Sequence, residues 1–265
     1  MIRFMEILTA RPKQPNTSGT AARFERKFYI PASKIAFASH LLAHCCVRDA
    51  EYPGGVVHSL YYDTDDMDCY QDSDDGHYAR HKVRIRWYDS PNGTPETPVY
   101  LELKSKNGFA GTKQRSRRLV ASELLGNPDI APGPAGGILD GAALREGLSQ
   151  FDYFPQKRYR PVIIVSYDRR RFRDLLTGTR VSLDWNIRSA AVTPRLGPCA
   201  GPVRLSGGVI EIKGPSADIP ATLRSMALLD TDWSRYSKYG SCVEAHLEGL
   251  GSVGRLRPSG RMERL

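Results

Sequence analysis

The sequence predicts an α+β fold: an eight-stranded antiparallel β-barrel with a polar, cationic lumen, flanked by helices. Three observations point there. Eight segments alternate as strands do, and their short connections favour antiparallel neighbours. Eight is also the strand number that closes a small barrel. The polar faces repeat one motif, two charged residues at i and i+2: Glu25 with Lys27, Arg84 with Arg86, Glu102 with Lys104, Glu211 with Lys213. A period of two puts such pairs on one face of a strand. Like charges on neighbouring strands repel, so a face this cationic is favoured when a polyanion sits on it. Pattern alone leaves a plain β-sandwich with solvated charges open beside the barrel.

Residues 1–20 are polar, rich in Pro, Thr, Ser and Gly from Pro12 to Thr20, and read as a mobile tail. The globular domain is expected over 21–250, with a basic tail over 251–265. The first strand is RFERKFYI, with Phe24, Phe28 and Ile30 on one face and Glu25 and Lys27 on the other. Pro31 and Ser33 open a helix through about Val47, whose Ile35, Ala38, Leu41, Leu42 and Cys45 fit helical spacing. VVHSLYYD is the second strand. The acid-rich run after it fails the calcium-loop pattern, because Met67 holds a ligand position and the turn glycine is missing. It reads instead as a short helix capped by Thr64 or Asp65.

Three cationic strands follow: HKVRIRWY, PVYLELKSK and TKQRSRR. In the first, Lys82, Arg84 and Arg86 share a face opposite Val83, Ile85 and Trp87. In the third, Lys113, Arg115 and Arg117 line up together. A loop over 126–137 and a helix over Leu139–Leu148 lead to RPVIIVSYDRRRF, TRVSLDWNIR and GGVIEIKG, the last three strands. Helical patterns run over Ala217–Leu229, interrupted by Pro220, and over Ser237–Leu247. The pairs His40/His44 and His77/His81 have metal-ligand spacing but no glutamate or third ligand nearby, so they read as surface or groove histidines.

The chain has 265 residues and carries 38 Lys+Arg against 29 Asp+Glu, a net charge of +9, which implies an acidic partner: nucleic acid, an anionic membrane or a phosphate-rich molecule. It has no apolar run of about 18 residues, so no transmembrane helix is expected. The N-terminal MIRFMEILTA is too short and too charged for a secretory signal. Five cysteines without CxxC spacing suit a reducing, cytoplasmic setting.

The pieces RFERKFYI, SLYYDT, VRIRWY, LELKSK, KQRSR, VSYDRRRF, RVSLDWNIR, VIEIKGP and SRYSKYG occur in order over about residues 23–240. In them the sequence resembles the triphosphate tunnel metalloenzyme superfamily, and most closely the polyphosphate polymerase domain of the vacuolar transporter chaperone family. The resemblance implies an eight-stranded tunnel that binds ATP, triphosphate or polyphosphate with a divalent metal, Mn²⁺ or Mg²⁺. It assigns Lys27, Arg84, Arg86, Lys104 and Arg169 to catalysis. Lys113, Arg115, Lys213, Arg235, Ser237 and Lys238 would bind phosphate, the last three as an RxSK segment beside the tunnel mouth. Glu211 would hold the metal, with Glu25 and Glu102 as further candidates. Two features depart from the family. Arg23 stands where the wider superfamily often begins ExExK, which favours the polymerase-like branch. The family's regulatory sensor and membrane module have no counterpart here, so regulation and an export role are not expected to carry over, and a membrane partner is left open.

Phosphoryl transfer asks the protein for positioning and charge more than for covalent chemistry. Arginine suits this because it grips phosphate bidentately and keeps its proton. The expectation is therefore transfer of the ATP γ-phosphate to a growing polyphosphate chain. Water as acceptor would make the same site a triphosphatase or polyphosphatase, and loss of turnover would leave a polyphosphate-binding protein. A nucleic-acid partner is not expected, because the aromatics are read as facing away from the arginines.

Overall fold

The structure is a computed structural model describing residues 24–89, 94–108, 110–125, 141–196, 202–216, 218–231, 236–248 and 253–255. The expected N-terminal tail and the 126–137 loop lie outside these residues. Ten strands form one sheet: β1 (Phe24–Ile30), β2 (Val47–Arg48), β3 (Gly54–Thr64), β4 (Ala79–Tyr88), β5 (Glu96–Asn107), β6 (Ala110–Ala121), β7 (Tyr159–Arg173), β8 (Arg180–Ala191), β9 (Val203–Gly214) and β10 (Val253–Arg255). Eight of them run in the order β1-β9-β8-β7-β3-β4-β5-β6, all antiparallel. These are the eight strands expected from alternation. The short β2 pairs with β7, and β10, read from sequence as tail, adds to β9 in parallel. Among the described residues β1 and β6 share no backbone ladder, so hydrogen bonds do not close the sheet.

Helices cover the sheet on both sides. On one side α1 (Ile35–Cys45) and a 3₁₀ segment (Ala221–Leu229) bury Phe28, Ile30, Phe172, Leu183 and Ile210. That segment starts directly after Pro220, whose fixed φ and missing N–H suit a helix start but not a helix interior, which corrects the start expected at Ala217. On the same side α3 (Gly141–Ser149) buries Ile85, Leu101 and Leu103 under Leu144 and Leu148.

The last helix goes elsewhere. α4 (Lys238–Leu247) packs Tyr239 and Val243 against Tyr61, Val165, Tyr167 and Val209. These four share the sheet face that carries Arg84 and Glu211, because directly opposed residues of antiparallel strands lie on one side. The inner face is thus apolar where α4 lies and charged elsewhere, where sequence alternation suggested charge throughout. Asp63 ties this helix down. Its carboxylate accepts from the Tyr239 hydroxyl at 2.6 Å, from the Thr64 N–H at the end of β3, and from the N–H groups of Cys69 and Tyr70 in the first turn of α2 (Asp68–Asp74).

Candidate active site

Registers decide which charges meet. Arg84 stands opposite Glu102, Glu102 opposite Arg115, Lys82 opposite Lys104, and Lys104 opposite Lys113. Across the sheet Arg169 stands opposite Asp184, Glu211 opposite Lys27, and Lys213 opposite Glu25. The alternation read from sequence thus brings nearly every expected side chain onto one concave face.

Two carboxylate centres organise it. Glu102, 2 % exposed, accepts from Arg84 Nε and Nη2 at 2.8 and 2.6 Å and from Lys113 Nζ at 2.7 Å, with Arg115 Nε at 3.4 Å. Burial pushes its carboxyl up, but Arg84, Arg86 and Lys113 outweigh burial and hold it far below the usual carboxylate range. Glu102 therefore has both oxygens engaged by cations and holds Arg84 in place. The second centre is Asp184 with Glu211. Arg169 donates to both Asp184 oxygens, Lys238 reaches Asp184 at 2.7 Å and Glu211 at 3.3 Å, and Lys213 reaches Glu211 at 3.0 Å. Both carboxyls are held low: burial opposes this, but Arg169 and Lys238 win at Asp184, and Lys213, Lys238 and Lys27 win at Glu211.

A side-chain pair links β1 to β5 across the face. Glu25 on β1 lies 3.2 Å from Lys27 and 3.6 Å from Lys104 on β5. Burial raises its carboxyl, while Lys213, Lys27 and Lys104 bring it down to about 2. The cations show the converse strain. Burial, then Lys27, Lys104, Arg84 and Arg80, push the Lys82 ammonium down to about 7. Burial pushes Lys113 down to about 8 although Glu102 opposes it.

Of the RxSK segment, Arg235 lies outside the described residues. Ser237 caps α4, accepting from the Gly240 N–H at 3.1 Å and from Lys82 Nζ at 2.9 Å. Lys238 lies inside the site, at the two acids, with its charge over the Tyr167 ring at 4.9 Å. The expectation that aromatics face away from the arginines needs correction. Trp87 does, but Arg84, Arg115, Arg169 and Arg171 lie over the rings of Tyr61, Tyr100, Tyr167 and Tyr88 at 5.8, 3.5, 5.3 and 5.6 Å. Cation–π contact explains the pairing: a tyrosine can share the cationic face because its ring attracts the guanidinium and its hydroxyl stays polar. Sequence reading also missed Asp184. The signal was the polar phase of VSLDWN, where Ser182 and Asp184 alternate with Leu183 and Trp185.

Arg84 uses three of the five N–H groups of a guanidinium on Glu102 and Tyr61, and Arg86 donates to Ser59 and Tyr167. Each is fixed by partners and keeps donors to offer. The face can therefore hold a chain of anionic groups over preorganised guanidinium and ammonium groups.

Two curated proteins named 3-phosphoshikimate 1-carboxyvinyltransferase match. The one from Enterobacter sp. (strain 638) is 33% identical over 138 residues, 49% of this chain and 29% of its own length. The one from Klebsiella pneumoniae (strain 342) is 29% identical over 252 residues, 89% of this chain and 52% of its own length. The chain thus spans about half, or less, of the curated relatives it matches. Among solved structures, a candidate adenylate cyclase from Bacillus halodurans matches at 16% identity with a TM-score of 0.43, covering 78% of this chain and 87% of that one. Another from Vibrio parahaemolyticus matches at 10% and 0.41, covering 81% and 94%. The family model for the VTC domain matches residues 22–247, from the first strand through α4. The chain belongs to the VTC domain family.

Proposed function

We propose that this protein is a metal-dependent polyphosphate polymerase that transfers the ATP γ-phosphate to a growing polyphosphate chain. The observation that carries this is the concave face itself, where Lys82, Arg84, Arg86, Lys104 and Lys113 stand on the neighbouring β4, β5 and β6 and are joined by Lys27 from β1 and Arg169 from β7, with buried carboxylates set between them. Membership of the VTC domain family supports a triphosphate or polyphosphate ligand for that face. Closure into a tunnel is part of the proposal: the Glu25–Lys104 pair spans from β1 to β5 where the backbone ladder does not.

Arg84, Arg86 and Arg169 would hold phosphate oxygens, with Glu102 and Asp184 fixing Arg84 and Arg169 for that task. Lys27, Lys104 and Lys113 would add charge along the chain, and Lys213 and Lys238 would keep the acids in place. Among the described residues no group of three His, Cys, Asp or Glu could hold a metal. A hard cation such as Mn²⁺ or Mg²⁺ needs no such cage, because one or two carboxylates and substrate phosphates suffice. Glu211, with Glu25 nearby, has the hard oxygen donors for it. When bound, the metal would offset phosphate charge on the transferring group.

The test is incubation of the purified chain with ATP and Mn²⁺, followed by separation of chain products from free phosphate. Lengthening chains support the polymerase. Free phosphate alone assigns the site to hydrolysis, and neither product reduces it to a binding protein. No helix among the described residues is long and apolar enough to cross a membrane.

A further inference from the structure

We infer that Lys82 is a further phosphate-contacting residue of this site, and that it takes up a proton from solvent when a polyanion binds. The inference rests on the phosphate reading above and names a coupling which that reading does not contain.

Lys82 sits on β4 two residues before Arg84, on the same face, opposite Lys104. Its neighbours set it apart. Lys27, Lys104, Lys113, Lys213 and Lys238 each have a carboxylate at 3.2, 3.6, 2.7, 3.0 and 2.7 Å. Lys82 instead donates to a neutral hydroxyl, Ser237 Oγ at 2.9 Å, and no carboxylate of the described residues lies within ion-pair distance. The charged groups that weigh most on it are cations: Lys27 from β1, Arg80 and Arg84 from its own strand, and Lys104 from β5. From α4 it meets the Ser237 hydroxyl at the helix N-cap.

An amine among four cations is poor at keeping its proton, and burial adds to this, bringing Lys82 down to about 7. A phosphate chain on the face reverses the balance, because an anion nearby favours the ammonium. Lys82 is thus half-neutral in the empty site near neutral pH and charged in the filled one. The neutral hydroxyl partner suits both states, since Ser237 can accept from the ammonium or donate to the amine. The other lysines of the face each have a carboxylate beside them that opposes loss of the proton.

Tripolyphosphate binding to the full chain is measured by calorimetry from pH 7 to 8.5, without metal, in buffers of different ionisation enthalpy. In the wild type, affinity should fall about tenfold across this range, with net proton uptake at pH 8. Lys82→Arg cannot lose its charge, so its affinity should fall severalfold less than the wild type's over this range, and roughly one proton fewer should be taken up at pH 8. Residual uptake is expected from Lys113, held near 8. Lys82→Met guards against a misfolded arginine variant: at pH 7 it should bind about tenfold more weakly than the wild type at that pH, near the wild-type value at pH 8.5. The same pH slope and proton count in either folded variant as in the wild type overturns the role of Lys82. No tripolyphosphate binding by the wild type at any pH overturns the phosphate reading itself, and this inference with it.

Discussion

Arg169 donates through Nε and Nη2 to the two oxygens of Asp184, each at 2.6 Å, and Asp184 is 0 % exposed. Lys238 approaches the same carboxylate at 2.7 Å, so one buried acid holds two cations brought from β7 and α4. Breaking a buried ion pair costs more than the pair gains on folding, because the survivors are left charged and dry. Asp184→Asn should destabilise the empty protein by about 3–5 kcal/mol in denaturant titration. Saturating tripolyphosphate should recover part of the loss by supplying the missing negative charge. A variant as stable as the wild type would show that Arg169 and Lys238 find other partners.

The lysines predict an unusual pH dependence of stability. Lys82 and Lys113 are held at about 7 and about 8, below the unfolded value near 10.4. Between those values the unfolded chain binds more protons than the native one, so stability rises with pH. The penalty is fully present below the native value and is relieved as pH climbs toward the unfolded one. Both side chains are partly exposed, which screens the effect. The empty protein should gain about 1–2 kcal/mol from pH 6.5 to 9, or a few degrees in Tm. Tripolyphosphate should flatten that rise. At the acid end the slope keeps the same sign: Glu25, held at about 2 in the native chain, contributes stability that is lost as pH falls from the unfolded carboxylate value toward the native one. A thermal scan showing lower Tm at pH 9 than at 6.5 would contradict this account.

Strand positions were legible because each strand meets two different surroundings, so its residues alternate, and Lys27, Arg84, Lys104 and Glu211 fall on one face from this alone. The side of the sheet that each helix covers was not legible. Tyr239 and Val243 form an apolar stripe that reads the same against either face, and only the structure sets it against Tyr61 and Val209. Closure was not legible either, since it depends on whether β1 meets β6; among the described residues the Glu25–Lys104 pair links β1 to β5, one strand short of that edge. Asp184 lies on the polar phase of its strand, but one acid between Leu183 and Trp185 does not announce partners from two other elements. Bulges hide from alternation as well. The register slips between Trp185 and Ile187, where Asn186 takes a left-handed φ of 51°, in a segment whose sequence reads as plain strand.

Arg86 separates a specific site from diffuse attraction. It is 8 % exposed and held by Ser59 Oγ at 3.2 Å and the Tyr167 hydroxyl at 3.1 Å. Arg160 is a control of equal charge, exposed and paired with Asp65 at 2.9 Å. Charge-assisted hydrogen bonds contribute about 1.5–3 kcal/mol, so Arg86→Ala should weaken tripolyphosphate binding roughly ten- to hundredfold. Arg160→Ala should change it less than about twofold at 0.15 M salt, where exposed charges are screened. Equal losses in the two variants would mean that binding follows net charge and not the concave face.

Glu211 decides between an enzyme and a binder. It is 7 % exposed, with Lys213 at 3.0 Å, Lys238 at 3.3 Å and Arg169 at 3.6 Å. As a plain counter-ion it neutralises those cations, and its loss would be felt in stability alone. As the metal-holding carboxylate its charge matters most once ATP is present. Glu211→Gln keeps the shape and removes the charge, while Asp184 still holds Arg169 and Lys238. Metal-dependent turnover of ATP should fall by about 10²-fold or more, the scale of losing an electrostatic contact at the reacting group. Metal-free tripolyphosphate binding should stay level or tighten, because one repelling anion has gone. Both quantities are measured on the same folded variant. Turnover at the wild-type rate would falsify the metal role, and a large loss of stability with turnover per folded molecule unchanged would leave Glu211 as a counter-ion.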